Sequence, residues 1–265
     1  MPAKTTTQLL AHDDSGGTGR LALLIPGAGD IRSEHRFLVP PLAEAGFRVV
    51  NVDLPGHGGS APAAEYTVGS TATAIIDLLE AKAAGPAVVV ACSFAPAAAV
   101  WVAAERPDLV AGIVAISPHL TADESLKGRM QAAALGILMR GPWAASLWAK
   151  FYSGWYKTDP PADLDRELAV LRSMFSDPAR RRAARETLTA SRDGVAERID
   201  RIAVPTLTVF GSLDDHFADP AGEAVSIAAQ LGGTSVVVRG AGHYPHVEQP
   251  DVVYAAIASF LDGIA

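Results

Sequence analysis

The chain has 265 residues, a net charge of −7 and 49% hydrophobic residues. The acidic balance argues against nucleic-acid binding, which asks for a basic face, and the apolar share is enough for a large core. A single cysteine, Cys92, excludes an internal disulfide. The opening residues MPAKTTTQLLAHDDSGG hold no apolar run of signal-peptide length, so a cytoplasmic location is expected.

In chain order, short apolar runs alternate with helical patterns. RLALLIPG predicts a strand ending at Gly27, and FRVVNVDLPG a second ending near Asp53. AVVVACS, LVAGIVAISP, PTLTVFGSLD and TSVVVRGAG follow as further strands. Most of these runs are continuously hydrophobic, the pattern of parallel strands covered on both faces. Helices are predicted over Arg36–Ala45, Thr67–Ala84, Pro96–Glu105, Asp219–Leu231 and Asp251–Leu261. The alternation implies an α/β fold with a doubly wound, mostly parallel sheet. Residues Thr7–His12 are a weak candidate for an antiparallel edge strand. The uncharged stretch Ala87–Ala104 has the length of a membrane span, but Ser93 and Pro96 interrupt it, and a buried strand plus helix explains it better.

Residues 119–200 break the alternation and hold no good strand. A structureless loop of that length is improbable in a compact domain, so a helical insertion is expected. The expected division is therefore a core over 1–118, a helical lid over 119–200, and the rest of the core over 201–265. The insertion leaves the sheet at the C-terminal end of a strand, where ligands bind in such folds. Trp143, Trp148 and Trp155 lie within it and are candidates to line a substrate pocket. The cluster RRRAARE at 180–186 reads as a solvated helix face.

VVVACSFAPAAAV carries the chemistry. A strand that turns sharply into a helix exposes the residue at its tip and crowds the positions two before and two after. With Ser93 at the tip, those positions are Ala91 and Ala95. With Cys92 there, they are Val90 and Phe94, too large for the crossing. Ser93 is therefore the better nucleophile, and it needs a histidine to take its proton.

Six segments in order, LLIPGAG, VDLPGHGGS, VVVACSFAPA, ERPDLVAGIVAISP, VPTLTVFGSLD and GAGHYPHVEQPD, resemble the α/β-hydrolase superfamily, and within it the lid-bearing, esterase-like serine members. The resemblance covers the chain outside the insertion. It implies a catalytic triad of Ser93, His243 in GAGH and Asp214 in GSLD, in the chain order of this fold. Asp215 is the alternative to Asp214; His246 is the fallback for His243, though a polar residue near the rim of the site is its more ordinary reading. His57, in the G-H-G turn, takes a structural role, while His119 and His216 lie at strand ends where they can line the pocket. The resemblance also places the oxyanion hole at the backbone N–H groups of Ala28 and Phe94. Pro26 departs from the pattern, since the family usually has a bracing histidine before Gly27.

Two rival readings fare worse. A dinucleotide site would need glycine at position 32, which is Arg32. A metal site built from His243, His246, Glu248 and the Asp214–His216 cluster does not match the helical H-E-x-x-H spacing. No metal and no cofactor are called for. A non-catalytic small-ligand receptor is the alternative from another class. With serine at the tip, the leading expectation is hydrolysis of an ester, thioester or lactone through an acyl-enzyme. C–C bond hydrolysis and acyl transfer are the alternatives on the same residues. The expected partner is a small, apolar acyl substrate, with no nucleic acid or membrane; a homodimer is left open.

Overall fold

The computed structural model describes residues 9–121 and 126–264. The core begins with β1 (His12–Asp14), β2 (Leu21–Ile25), a 3-10 turn over Arg32–His35, α1 (Val39–Glu44) and β3 (Arg48–Val52). It continues with α2 (Val68–Lys82), β4 (Ala87–Cys92), α3 (Ala95–Glu105) and β5 (Val110–Ile116). Five helices follow: α4 (Leu126–Leu138), α5 (Ala144–Gly154), α6 (Leu164–Ser176), α7 (Pro178–Leu188) and α8 (Ala196–Ile199). The chain then returns through β6 (Thr206–Gly211), α9 (Pro220–Gln230), β7 (Thr234–Val238), α10 (Pro245–Glu248) and α11 (Pro250–Asp262).

The seven strands run in the order β1-β3-β2-β4-β5-β6-β7. All neighbours are parallel except β1, which pairs antiparallel with β3 in the register His12↔Val52. This is the doubly wound sheet the apolar runs call for. The edge strand starts at His12, later than expected; of the expected segment, Thr7 and Gln8 lie outside the described residues.

Alternation along each strand splits the core into two layers. On β2, Leu21, Leu23 and Ile25 join one layer with α2, α3, α8 and α9, while Ala22 and Leu24 join the other with α1, α11 and the inserted helices α5–α7. On β4 the same rule sends Ala91 to the first layer and Cys92 to the second. Nearly every residue of α3 is buried, which is why Ala87–Ala104 carries no charge although it is a strand and a helix of a globular core. No helix of the described residues is long and apolar enough to cross a membrane.

One expected helix is shorter than the pattern suggests. The segment Arg36–Ala45 becomes helical only from Val39, behind the 3-10 turn. Pro40 and Pro41 lack the N–H that an interior turn needs and are tolerated only in the first turn, so the helix starts there.

Among the described residues of 119–200 every regular element is a helix. Polar contacts tie this segment to the core. Arg36 grips Asp163 with two hydrogen bonds, of 2.9 and 2.6 Å, and Ser33 Oγ donates to Glu167 at 2.5 Å. The Glu248 carboxylate accepts from the Lys157 and Thr158 N–H groups and also from Gly242 N–H.

Candidate functional site

β4 ends at Cys92 and α3 begins at Ala95, leaving Ser93 and Phe94 to make the turn. Ser93 takes φ +57°, a left-handed conformation that a side chain adopts at a cost of about 1 kcal/mol or more. The surroundings hold it there: its N–H donates to Ile116 O at 2.9 Å, and its carbonyl accepts from His119 N–H at 2.9 Å. The flanking Ala91 and Ala95 are fully buried. Across the turn, a Cβ on Gly27 would lie 3.1 Å from Ser93 Cβ, so glycine at residue 27 lets the loop after β2 pass close against the serine without pushing either back. Cys92 points to the opposite layer and is fully buried. Burial and the Glu34 carboxylate push its thiol up, which leaves it inert.

The Pro26–Asp30 loop is braced on several sides. Glu34 Oε2 accepts from Gly27 N–H at 2.7 Å, and Asp30 N–H donates to Gly27 O at 3.2 Å. His57 Nε2 accepts from Gly29 N–H at 3.1 Å while its Nδ1 lies 2.9 Å from Pro55 O, which fixes the proton on Nδ1. Thus His57 and Glu34 hold the loop where Pro26 leaves no histidine to do so. Among the described residues neither Ala28 N–H nor Phe94 N–H has an acceptor.

Beside this turn, Asp214 follows β6 and His243 follows β7. His243 Nδ1 lies 2.9 Å from Asp214 Oδ2, with Asp214 fully buried. Asp214 Oδ1 takes the ring of His216 at 3.0 Å and its N–H at 3.2 Å. Burial acts to raise the Asp214 carboxyl, but the attraction of His243 and the bonds from His216 and His243 hold it well below the usual carboxylate range. The next residue, Asp215, turns away to Lys157 Nζ at 2.7 Å. The His216 ring lies 4.0 Å from that of His243, and the His119 ring 5.8 Å from it. Because His119 N–H also binds the Ser93 carbonyl, this residue joins the serine turn to the Asp214–His243 pair. Ser93 Oγ has no hydrogen-bond partner among the described residues; bonds of this kind are often long in free enzymes and tighten with substrate.

Two of the three tryptophans reach these loops. Trp148 is buried over Gly29, where an added Cβ would lie 2.4 Å from its Cζ2. Trp155 stands edge-on to Trp148 at 5.2 Å and 5.7 Å from the His243 ring, and its carbonyl accepts from His243 N–H at 3.1 Å. Trp143 stands apart, 57% exposed, its indole N–H donating to Leu138 O. A groove of about 1240 Å³ lined by Arg32, Asp53, Glu167 and Met174 lies away from Ser93 and contains none of these groups.

His246, expected near the rim of the site, is fully buried beneath the Pro26–Asp30 loop. Its Nε2 is 3.2 Å from Glu34 Oε1, with His35 Nε2 3.8 Å from the same oxygen. Among the described residues two groups bring ligand-type atoms within 4.8 Å of one another: Glu34, His35 and His246, and Asp214, His216 and His243. In each the carboxylate is already engaged, by Gly27 N–H or by two imidazoles. Glu248 belongs to neither, being spent on backbone N–H groups. Sequence reasoning missed Asp30, Glu34 and His35, because DIRSEH reads as a polar surface loop. The one signal pointing to them was the departure at Pro26, which required another brace.

The buried histidines have a consequence for acid stability. Desolvation lowers His35 and His57 to about 4 and also depresses His119 and His216. Between pH 6.5 and 4.5 the unfolded chain takes up protons at His35 and His57 that the folded chain refuses, and the lowered His119 and His216 act in the same direction, so stability falls as pH falls. Asp30, raised by burial and by Glu34, acts in the opposite direction. Each uncompensated proton costs about 1.4 kcal/mol per pH unit across that window. Urea unfolding at pH 7.5 and at pH 4.5 checks it; equal midpoints would contradict the burial of these rings as neutral groups.

The fold and this arrangement meet the comparison with known families. Residues 22–256 match the model of the alpha/beta hydrolase family. The chain belongs to that family. Curated relatives of this alpha/beta hydrolase include "Lipase LipV" of Mycobacterium tuberculosis, 37% identical over 122 residues, an alignment spanning 45% of this chain and 47% of the lipase. A pimeloyl-[acyl-carrier protein] methyl ester esterase of Neisseria meningitidis is 29% identical over 91% of this chain and 92% of its own. Among solved structures, the enol-lactonase from Burkholderia xenovorans LB400 superposes with TM-score 0.79 at 21% identity, covering 96% of each chain, and shows the shared alpha/beta hydrolase fold.

Proposed function

We propose that this alpha/beta hydrolase cleaves carboxylic esters through an acyl-enzyme formed on Ser93. The observation that carries the reading is the pairing of a serine held at φ +57° with two neighbouring backbone donors, Ala28 and Phe94, that have no acceptor. Ser93 Oγ attacks the ester carbonyl carbon, and His243 Nε2 takes its proton. Asp214 holds His243 with its other proton on Nδ1 and stabilises the imidazolium. Negative charge develops on the carbonyl oxygen between the Ala28 and Phe94 N–H groups, which need no reorganisation to receive it. The imidazolium then protonates the departing alkoxide, and water attacks the acyl-serine by the same steps reversed.

The names of the curated relatives, a lipase and a methyl ester esterase, support an ester as the bond cleaved. Helices α4–α8 serve as the cap, since Trp148 and Trp155 from this segment press on the Pro26–Asp30 loop and on the His243 loop. With Phe94 they favour an apolar acyl group.

A fluorophosphonate probe followed by peptide mapping tests the reading, beside p-nitrophenyl esters of increasing chain length. One adduct is expected, on Ser93 and not on the neighbouring Cys92, together with ester turnover that responds to acyl length. An adduct on Cys92, or a folded protein that takes none, would sink the assignment.

A further inference from the structure

The oxyanion donor proposed at Ala28 sits in a loop whose family brace is absent, and something else must orient it. The peptide unit that carries Ala28 N–H also carries Gly27 C=O, and the two point in opposite directions across a trans bond. Gly27 O is bound by Asp30 N–H at 3.2 Å. The peptide before it is held by Glu34 through Gly27 N–H at 2.7 Å, and the one after by His57 through Gly29 N–H at 3.1 Å. Three successive planes are thus fixed, and the Ala28 N–H cannot turn without breaking one of these bonds.

Of these partners, Asp30 faces Tyr244, the residue after His243, and Glu34 reaches a second part of the site through its other oxygen. Its Oε1 is 3.2 Å from His246 Nε2. His246 lies in α10, three residues beyond His243, so one carboxylate touches both the loop that offers the oxyanion donor and the loop that carries the proposed base. Glu34 is only 1% exposed, and His246 is fully buried. A charge so enclosed persists only where partners compensate it; besides His35 in its own turn, Glu34 has Gly27 N–H on one loop of the proposed site and His246 beside the other.

We infer that Glu34, in contact with His246, is a positioning residue that sets the Ala28 oxyanion donor and keeps it in register with His243. The inference rests on the reading of Ser93, His243 and Asp214 given above. Glu34 touches no reacting atom; it acts through the Gly27 peptide. Burial disfavours its charged form, yet His246 and His35 hold its carboxyl down to about 2, so the acceptor stays ionised through the working range. Burial and the neighbouring Glu34 raise the Asp30 carboxyl, whose Oδ1 accepts from Ile31 N–H at 2.9 Å rather than from Gly27.

The test compares the wild type with E34Q and E34M, using p-nitrophenyl butyrate as substrate and an alkyl trifluoromethyl ketone as inhibitor. The ketone's hemiketal oxygen occupies the oxyanion hole. E34Q keeps an acceptor for Gly27 N–H and is expected to lose no more than about 3-fold in kcat, whereas E34M fills the space without one. For E34M, kcat is expected to fall about 30- to 100-fold, part of what complete removal of an oxyanion donor costs. KM should change less than 3-fold, and the inhibition constant of the ketone should rise by the factor lost in kcat. A purely structural role would lower the melting temperature without this split between substrate and transition-state mimic. Folded E34M matching E34Q in kcat and in ketone affinity overturns the inference. Should E34M not fold, H246A decides. It leaves Glu34 its bond to Gly27 but unties it from the His243 loop, and an expected 3- to 10-fold loss in kcat at steady KM supports the role. Wild-type kcat and ketone affinity in H246A overturn it. A wild type with neither turnover nor labelling at Ser93 removes the reading of the site itself, before any variant is made.

Discussion

Replacing Ser93 with alanine is expected to lower kcat for an ester substrate by about 10⁵- to 10⁶-fold, the scale of removing a triad nucleophile. The backbone gives a control for the fold. Alanine keeps a Cβ at φ +57°, so S93A should melt close to the wild type. Glycine relieves that conformation, and S93G should be more stable by about 1 kcal/mol, or roughly 2–4 °C for a chain of this size. A rise in melting temperature with loss of turnover would show a residue held under strain for chemistry. Folded S93A retaining a tenth of wild-type activity would remove Ser93 from the mechanism.

Asp214→Asn is the second substitution with a large expected effect. The carboxylate accepts from two rings at once, His243 at 2.9 Å and His216 at 3.0 Å. An asparagine offers one oxygen and one NH₂ group. Whichever ring meets the NH₂ must present an unprotonated Nδ1, which moves its proton to Nε2. If that ring is His243, Nε2 can no longer take the proton from Ser93. If it is His216, His243 keeps its tautomer but loses the charge that stabilises its imidazolium. A fall in kcat of about 10³- to 10⁴-fold at neutral pH is expected, comparable to the corresponding change in other serine triads. Asp215 cannot substitute, because it faces Lys157. A pH–rate profile for D214N within tenfold of the wild type from pH 6 to 9 would refute the role.

How far the sequence could be read depended on what each residue's neighbours are made of. The strands were legible because buried parallel strands are apolar on both faces, and β4 and β5 are nearly continuous runs of Val, Ile and Ala. The placement of Ser93 over Cys92 at the turn rested on side-chain volume at Ala91 and Ala95, a local property. Asp214 and His243, read from their motifs, come together by hydrogen bond. Burial of a polar group is different, because it depends on what packs over it from distant parts of the chain. His246 looks like a rim residue until Glu34, 212 positions earlier, is placed beside it. Trp143 and Trp148 are equivalent in composition, yet one is 57% exposed and the other 1%. Only the packing of helices α4–α8 distinguishes them.

The close seat of Trp148 on Gly29 bears on how such a protein can be altered. The proposed cap, helices α4–α8, is separable along the chain, entering after β5 and leaving before β6, and it invites exchange with the corresponding segment of a relative. At this contact it is not separable. A bulkier residue at position 29 would collide with the indole, and a smaller one at position 148 would leave the loop beneath it with a void. The two positions have to change together, so a transplanted cap that arrives with its own residue at 148 inherits the wrong floor. Chimeras of this chain should therefore be built with residues 27–30 travelling with the cap, as though the loop after the second strand were the cap's sixth segment.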